Sequence, residues 1–216
     1  MILEINPDHP EPRKIQKAVD ILERGGVVAY PTDAVYGIGC DAANKAAVEK
    51  LHQVKGMPKG KQLAFVCADL NDISRYAIVD NAAFRLLKRA LPGPYVFILD
   101  ATREVPKLAL TKQKTVGIRV PNHEIPRALC RALGRPMLSS TANLPGEEPM
   151  LDPHEIDEAF PRLDLVLDGG VCGVIPTTVV DLTSGEAVVV REGAGPLEGI
   201  GLVDEPAMSR RGGWGA

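Results

Sequence analysis

The sequence has few aromatic residues and no long apolar run, and both absences exclude classes of protein. Aromatic residues make up 4% of the 216 residues, so the core must be aliphatic and few rings are present to stack on nucleic-acid bases. No apolar run approaches the roughly 20 residues of a membrane-spanning helix. The N-terminus also lacks the basic stretch and apolar core of a secretory signal. We therefore expect no membrane association and predict a cytoplasmic protein.

The four cysteines show none of the close spacings that mark metal or redox sites. They stand far apart in the chain, at Cys40, Cys67, Cys130 and Cys172. A zinc ribbon or a C-x-x-C redox site needs paired cysteines, so neither is expected. We predict that the cysteines are reduced and mostly buried, and no residue is predicted to bind a metal ion.

The charge balance is slightly acidic. The formal net charge is −3 at pH 7, whereas indiscriminate nucleic-acid binding usually needs a strongly basic face. A local basic groove stays open as an alternative. The apolar content of 45% is that of a globular protein. With no internal repeat and no long linker, the sequence predicts one domain over residues 2–195 and a flexible tail over residues 196–216, where Gly, Pro and scattered charge dominate.

Apolar spacing predicts helices that alternate with short buried strands. The first helix has its apolar residues at i, i+3, i+4 and i+7, namely Ile15, Ala18, Val19 and Leu22. Asn44 is a suitable N-cap for a second helix, and Gly134 ends another. Apolar runs at residues 63–67, 95–99, 116–120, 165–167, 176–181 and 187–191 predict strands. This pattern indicates the α/β class.

The apolar run that begins at residues 27–28 predicts the central strand, and the residues after it are polar. Thr32 and Asp33 follow the strand, and Gly37 and Gly39 make the next stretch prone to turn. Open α/β sheets bind ligands at the ends of their strands, so a hydroxyl and a carboxylate here suggest a binding site. The alternative is an ordinary strand exit with a Thr/Asp turn.

A basic segment lies between the second predicted helix and the next strand. It runs from Lys55 to Lys61 and contains three lysines, with Lys59 between these two. Glycine and proline constrain the backbone between the lysines, so the loop is able to clamp phosphate. The alternative is a solvated basic turn.

Two further elements place polar groups at strands. Arg119 lies inside a predicted strand, where an arginine either binds an anion or makes a structural ion pair. The segment from Ser139 to Asn143 carries four hydroxyl or amide side chains directly after a strand, and such donors suit a phosphate or a carboxylate. The alternative for this segment is a Ser/Thr-rich turn.

Five elements in one order carry a resemblance that covers nearly the whole chain up to the tail. They are Tyr-Pro-Thr-Asp, the lysine loop, Gly-Ile-Arg-Val-Pro, Ser-Ser-Thr-Ala-Asn, and Thr-Thr-Val-Val-Asp with Val-Arg-Glu-Gly. This order resembles the YrdC-like family, whose members include the threonylcarbamoyl-AMP synthases of tRNA modification. Details such as Pro-Gly-Pro-Tyr-Val-Phe-Ile-Leu look closest to the YciO branch. The resemblance implies a twisted mixed α/β sheet flanked by helices around a basic concave groove.

The resemblance also implies an activity. The family's enzymes join L-threonine, bicarbonate and ATP with Mg²⁺ into threonylcarbamoyl-AMP and release pyrophosphate, for the t6A modification of tRNA. Carried over by motif, four residues are expected to face the amino acid: Thr32, Arg119, Ser139 and Thr177. Six are expected to face the nucleotide: Lys55, Lys61, Thr115, Thr141, Asn143 and Arg191.

Two departures from the family pattern keep a second hypothesis open. The family's Lys-x-Arg signature reads Lys55-Gly-Met57 here, and Val66 occupies a position that can carry His in the synthases. Met57 favours a nucleotide-binding or double-stranded RNA-binding protein with weak or no synthase activity. The retained Ser-Ser-Thr-Ala-Asn motif and Arg191 favour the enzyme. The sequence does not indicate an oligomeric state.

Overall fold

Ten strands form one mixed sheet in the structure, a computed structural model that describes residues 1–57, 63–106, 109–110 and 113–202. The strands are β1 (Ile2–Glu4), β2 (Val27–Tyr30), β3 (Gly37–Asp41), β4 (Ala64–Val66), β5 (Tyr95–Asp100), β6 (Thr115–Arg119), β7 (Met137–Thr141), β8 (Leu165–Asp168), β9 (Thr178–Asp181) and β10 (Val188–Arg191). Their order in the sheet is β1, β8, β2, β3, β7, β4, β6, β5, β9, β10. The α/β fold expected from the sequence is confirmed.

The described residues contain six α-helices, which begin and end largely where local sequence signals place them. They are α1 (Pro12–Glu23), α2 (Lys45–Val54), α3 (Ile73–Tyr76), α4 (Asn81–Ala90), α5 (Glu124–Leu133) and α6 (Pro153–Ala159). The Asn44 side chain accepts a hydrogen bond from Ala47 N at the start of α2, and Gly134 ends α5 in the left-handed conformation. No helix in the described part of the chain is long and apolar enough to span a membrane.

The helices divide between the two faces of the sheet. α1 and α5 pack on one face with buried residues of β2, β7 and β8, whereas α2, α4 and α6 pack on the other. Farther along the first face lies a small cluster of Val96, Ile98 and Val179, joined by Ala64 and Val190. All five of these residues come from strands. This half of the face is the floor of the cavity described below.

Strand β3 corrects the expectation that residues 37–39 form a turn-prone loop. Gly37 and Gly39 belong to β3, which pairs antiparallel with β2 and β7. Packing explains why both positions are glycine. A Cβ added to Gly39 would lie 3.0 Å from the Tyr30 ring and 3.0 Å from its hydroxyl, and one added to Gly37 would lie 3.1 Å from the same ring. The tyrosine ring occupies the space that two side chains would need.

Two other boundaries differ from the sequence prediction. Ser139, Ser140 and Thr141 lie within β7 and pair with β3, so they do not form a turn after the strand. The segment after Gly195 does not leave the fold at once, because Ile200 is 2% exposed within the core and the Tyr95 hydroxyl donates to the carbonyl of Pro196. The predicted tail therefore starts too early, and residues 203–216 lie outside the described part of the chain.

Candidate functional site

A cavity of about 410 Å³ lies over the strand-only half of the first face and continues past the end of α2. Seven of the ten predicted site residues line it: Lys55, Arg119, Ser139, Thr141, Asn143, Thr177 and Arg191. The elements that supply them are far apart in the chain but adjacent in the sheet. The described walls carry three basic side chains together with two acidic ones, Glu147 and Glu148. The cavity is therefore of mixed charge, with its cations after α2 and at the ends of β6 and β10, and its two carboxylates on the loop after β7.

Two of the other predicted site residues, Thr32 and Thr115, are not part of the described lining of this cavity. Thr32 is buried beside it and bonded to Arg119. Thr115 begins β6 and is buried. It lies four residues before Arg119, roughly 13 Å away at about 3.3 Å per residue, and its expected contact with the nucleotide stays a prediction. Lys61 lies outside the described residues, as does Lys59.

Arg119 ends β6 and is held from one side only. Its Nη2 donates to Asp33 Oδ1 at 2.6 Å and to Thr32 Oγ1 at 2.9 Å. The second oxygen of Asp33 accepts from the backbone amide of Asn122. The structural ion pair considered from the sequence is therefore present. Among the described residues, however, Nε has no hydrogen-bond partner although it is buried, and the Arg119 side chain lines the cavity. The guanidinium keeps donors that its own fold does not use.

The Thr32 hydroxyl serves the turn that follows β2. It donates to the carbonyl of Val35 at 2.6 Å and accepts from the amide of Ala34 at 3.1 Å. The Thr/Asp turn considered from the sequence is therefore what forms here. Because the same oxygen also accepts from Arg119, the turn positions the arginine rather than presenting a free hydroxyl.

Ser139 is oriented by a tyrosine that the sequence analysis did not select. Tyr30 Oη donates to Ser139 Oγ at 2.6 Å, and Ser139 Oγ donates to the carbonyl of Ile38 at 3.3 Å. Tyr30 is fully buried, and burial raises the pKa of its phenol. The phenol therefore stays neutral and remains a hydrogen-bond donor. The sequence contained one indication of this contact. Tyr30 ends the buried strand β2, and the glycines of β3 lie between that strand and β7, which carries Ser139.

Lys55 follows α2 directly and is buried at the other end of the cavity. Its Nζ donates to the backbone carbonyl of Asn143 and, at 2.9 Å, to the Asn143 side-chain oxygen. The same ammonium lies 5.2 Å from the centroid of the Phe160 ring. Asn143 Nδ2 in turn donates to the carbonyl of Glu147. Lys55 is thus not the solvated turn residue that the alternative reading of its loop required.

Arg191, the last residue of β10, contacts Thr177, which directly precedes β9. Arg191 Nε and Nη2 both donate to the carbonyl of Thr177, at 3.2 and 3.0 Å, and Nη2 lies 3.3 Å from its hydroxyl. Burial lowers the pKa of Arg191, but an arginine remains protonated in proteins. The site therefore keeps a fixed positive charge at this hairpin.

Met57 stands in the cavity wall two residues after Lys55. Its sulfur lies 3.9 Å from Ser140 Oγ. The thioether is thus close to the polar strand β7 and adds no charge there. Met57, where the family pattern has an arginine, is thus part of the cavity wall, so the loss of that positive charge affects what the cavity binds.

The cysteines are not suited to nucleophilic chemistry. All four are free, and three of them are buried, as predicted. Burial raises the pKa of Cys130 to about 12 and that of Cys172 to about 11. Since the thiolate is the nucleophile, these neutral thiols do not supply one near pH 7.

The match to a family model covers most of this architecture. The Sua5/YciO/YrdC model, described as "Telomere recombination", matches residues 20–193. The chain belongs to this family. It is 47% identical to YciO of Escherichia coli K12 over 197 residues, which are 90% of this chain and 96% of that one.

Two solved structures of the family superpose closely on this protein. The crystal structure of E. coli YciO gives a TM-score of 0.88 at 45% identity, covering 93% of this chain and 98% of that one. Sua5 of P. abyssi, crystallised with L-threonine, gives a TM-score of 0.87 at 31% identity. That match covers 93% of this chain but 59% of the Sua5 chain, so the shared part is the Sua5/YciO/YrdC domain.

Proposed function

We propose that the protein is a threonylcarbamoyl-AMP synthase-like enzyme that joins L-threonine, bicarbonate and ATP and releases pyrophosphate, supplying the t6A modification of tRNA. The observation that carries the proposal is the convergence of Arg119, Lys55 and Arg191 on one cavity. The likeness to a Sua5 structure that contains L-threonine supports the amino acid as a ligand. The volume of about 410 Å³ lies in the range of small-molecule sites, about 300–1,000 Å³.

The two ends of the cavity suit the two kinds of anion in this reaction. At one end, Arg119 has donors that its ion pair with Asp33 leaves unused, and a guanidinium fork matches a carboxylate. We assign the amino-acid carboxylate to this end. At the other end, Lys55 and Asn143 provide a cation and an amide on a loop that suits the phosphates of ATP.

Adenylyl transfer requires that the reactants are positioned and that the charge on the phosphates is neutralised, and it needs no covalent intermediate with the protein. In the proposed reaction a carbamate oxygen of N-carboxy-threonine attacks the α-phosphorus of ATP. The bond between the α-phosphorus and the oxygen that bridges to the β-phosphate breaks, and pyrophosphate leaves. Fixed cations that surround the transferring phosphate stabilise its developing charge. Mg²⁺ enters with ATP as part of the substrate. The neutral thiols of this protein agree with a site that works without a cysteine nucleophile.

The test is ATP-dependent pyrophosphate release with threonine and bicarbonate, with product identified as threonylcarbamoyl-AMP. Lys55→Met keeps the apolar stem and removes the charge, and it is expected to weaken ATP binding at least about tenfold, the effect of a lost charge-assisted contact. Lys45→Met is the control, because Lys45 is an exposed lysine at the start of α2, the helix that Lys55 follows, and does not line the cavity. Pyrophosphate release at background level in folded wild-type protein would contradict the proposal.

A second candidate function is favoured by Met57. The residue lines the cavity at a position where the family pattern has an arginine, so the positive charge near the phosphates is reduced. A nucleotide-binding or double-stranded RNA-binding protein would tolerate this loss better than an enzyme. A gel shift with double-stranded RNA and with tRNA, run beside the pyrophosphate assay, separates the two candidates.

A further inference from the structure

The outward side of α4 is basic and carries one exposed aromatic ring. Three apolar residues of this helix are buried against the sheet: Leu86, Leu87 and Ala90. Four large side chains are exposed on the other side and make up the basic face of α4: Phe84, Arg85, Lys88 and Arg89. Residues three and four apart are neighbours on a helix surface. The three cations therefore form one cluster, and Phe84, which is 50% exposed, lies beside Lys88.

Among the described residues, no carboxylate forms an ion pair with the three cations of this face. Asp80, which precedes the helix, caps it by accepting a hydrogen bond from the amide of Ala83. Glu198 belongs to a 3₁₀ turn that packs against α4. Arg85 and Arg89 are four residues apart, and like charges at this spacing destabilise a helix. An anion bound to the basic face of α4 relieves that repulsion.

Neighbouring segments extend the positive charge. Arg75 of α3 and Arg103, which follows β5, are both exposed. The Thr102 hydroxyl donates to the Arg75 carbonyl at 2.6 Å, so these two segments lie side by side. The sequence shows the same segregation, because residues 75–119 contain nine basic and three acidic residues, whereas residues 147–198 contain two basic and twelve acidic ones. A net charge of −3 is thus compatible with a local basic surface, the electrostatic feature of nucleic-acid binding.

The basic face of α4 is separate from the cavity. The buried side of α4 packs on the sheet face that also carries α2 and α6, whereas Val96 and Val179 of the cavity floor lie on the opposite face. None of the four residues of the basic face is part of the described cavity lining. A ligand on α4 therefore leaves the cavity open to its own ligand.

We propose that the basic face of α4 is a docking surface for RNA. Its three cations contact phosphates of the RNA backbone, and the Phe84 ring stacks on an unpaired base. Contacts from Lys and Arg to phosphates supply affinity, and exposed aromatic rings stack on the bases of single-stranded loops. The ring favours RNA with unpaired bases over a duplex or an acidic protein, because neither of these presents a free base. The inference goes beyond the proposed function, since it concerns a second surface and requires no catalysis.

The salt dependence of binding measures the number of phosphate contacts. Each contact contributes a slope of about −0.7 to −0.9 to the logarithm of the affinity plotted against the logarithm of the salt concentration. Three contacts therefore account for a loss in affinity of about 20- to 40-fold between about 50 and 200 mM salt. A stacked ring strengthens binding about fivefold or more, and this contribution depends little on salt.

The test is the binding of an unmodified tRNA transcript to the full chain, measured by fluorescence anisotropy at about 50 and 200 mM salt without ATP, threonine or bicarbonate. One triple variant removes the cations of the face: Arg85→Gln, Lys88→Gln and Arg89→Gln. It is expected to bind at least about tenfold more weakly at the lower salt concentration and to lose the salt effect of three contacts. Phe84→Leu keeps an apolar side chain and is expected to weaken binding about fivefold or more, with the salt effect unchanged.

A second triple variant is the matched control, because it removes the same charges from exposed positions on and directly after α1, which packs on the other face of the sheet. It consists of Arg13→Gln, Lys17→Gln and Arg24→Gln. None of these residues is part of the described cavity lining. Urea unfolding checks that each variant is folded, and Lys88→Gln alone, which should remove about threefold of the salt effect, replaces the triple variant if that protein does not fold.

Weaker tRNA binding by the α4 variant and by Phe84→Leu, with wild-type affinity in the α1 variant, supports the inference. It is overturned if wild type does not bind the tRNA, or if the two triple variants bind it equally well. Unchanged affinity in Phe84→Leu overturns the preference for unpaired bases. Displacement of the tRNA by polyglutamate at equal charge concentration overturns the choice of RNA and assigns the face to an acidic protein. Because no substrate of the proposed reaction is present, failure of the synthase assay does not affect this result.

Discussion

Tyr30 reaches across strand β3 and donates a 2.6 Å hydrogen bond to Ser139, which is 109 residues later in the chain. The phenol passes over Gly37 and Gly39, where any Cβ would lie 3.0–3.1 Å from it. Ser139 then donates to the carbonyl of Ile38 in β3. One core tyrosine thus fixes the rotamer of a serine in the cavity wall.

Tyr30→Phe is expected to lower the free energy of unfolding by about 1–2 kcal/mol, because a buried hydrogen bond is lost. It should also weaken threonine binding, since the Ser139 hydroxyl is then free to rotate. Urea unfolding and calorimetry measure the two effects. Tyr95→Phe is the control, because Tyr95 donates to the Pro196 carbonyl away from the cavity. If the Tyr30→Phe protein binds threonine as tightly as wild type does, Tyr30 has no role in threonine binding.

Gly39→Ala is expected to destabilise the fold by about 1–3 kcal/mol, the usual cost of overpacking. The new methyl group would press on the Tyr30 ring and hydroxyl and on the carbonyl of Leu138, which lies at 3.1 Å. In a double-mutant cycle with Tyr30→Phe, the two effects should not add, because the removed hydroxyl is one of the contacts. Additive free energies of unfolding would mean that the methyl group is accommodated elsewhere.

Met57→Arg is expected to raise threonylcarbamoyl-AMP formation about ten- to a hundredfold, since a charge-assisted contact of about 1.5–3 kcal/mol is added where we propose that the phosphates bind. Product per enzyme is measured at saturating threonine and bicarbonate. Met57→Leu, which changes shape little and adds no charge, should behave as wild type. If the Met57→Arg protein folds and both it and wild type form product only at background level, the binding-protein candidate takes precedence.

Lys59 and Lys61 belong to the same basic segment of the sequence as Lys55, so their charges also bear on the Met57→Arg experiment. An ammonium on a flexible stem reaches phosphate oxygens without the fork geometry of arginine. We expect the double change Lys59→Ala with Lys61→Ala to lower product formation in wild type. In the Met57→Arg protein the same double change should have a smaller effect. Equal effects in both proteins would mean that Met57 and these lysines act on different parts of the ligand.

His123 is expected to make the fold less stable in acid. Its Nδ1 accepts from the amide of Ile125 at the start of α5, and burial lowers its pKa below the ordinary value. The unfolded chain therefore takes up the proton first as the pH falls from about 7 through the ordinary histidine pKa of 6.5. Stability is lost through that range and levels off below the folded-state pKa.

His123→Asn keeps a capping oxygen and removes the titration. Urea unfolding at several pH values between about 7 and 5 should then show a shallower loss of stability than wild type. His154→Asn is the control, because His154 is exposed on α6. The same slope in His123→Asn and wild type would assign the acid sensitivity to other groups.

Local features of the fold were predictable and long-range ones were not. The apolar face of α1, the Asn44 cap and the Gly134 end follow from signals within a few residues, and all are confirmed. Gly37 and Gly39 were interpreted as turn residues because the cause of their small size, Tyr30, acts across a strand. No pattern in the sequence revealed that packing.

The site shows the same division. The five motifs predicted seven of the residues that line the cavity, because side chains at the ends of neighbouring strands meet. They did not show that Asp33 pairs with Arg119 or that Tyr30 orients Ser139. Those contacts join segments that are about 80 or more residues apart.

Lys55 is bound by Asn143 in this structure, through both the backbone carbonyl and the side-chain oxygen. An anion that approaches this ammonium meets a site that already contains an internal acceptor. Its measured affinity is therefore an exchange free energy, the difference between the contact it makes and the one it displaces. Since Asn143 also holds the carbonyl of Glu147, displacement would release one anchor of the loop after β7. Changes at Asn143 should thus alter anion affinity in either direction, even where no atom of Asn143 touches the anion.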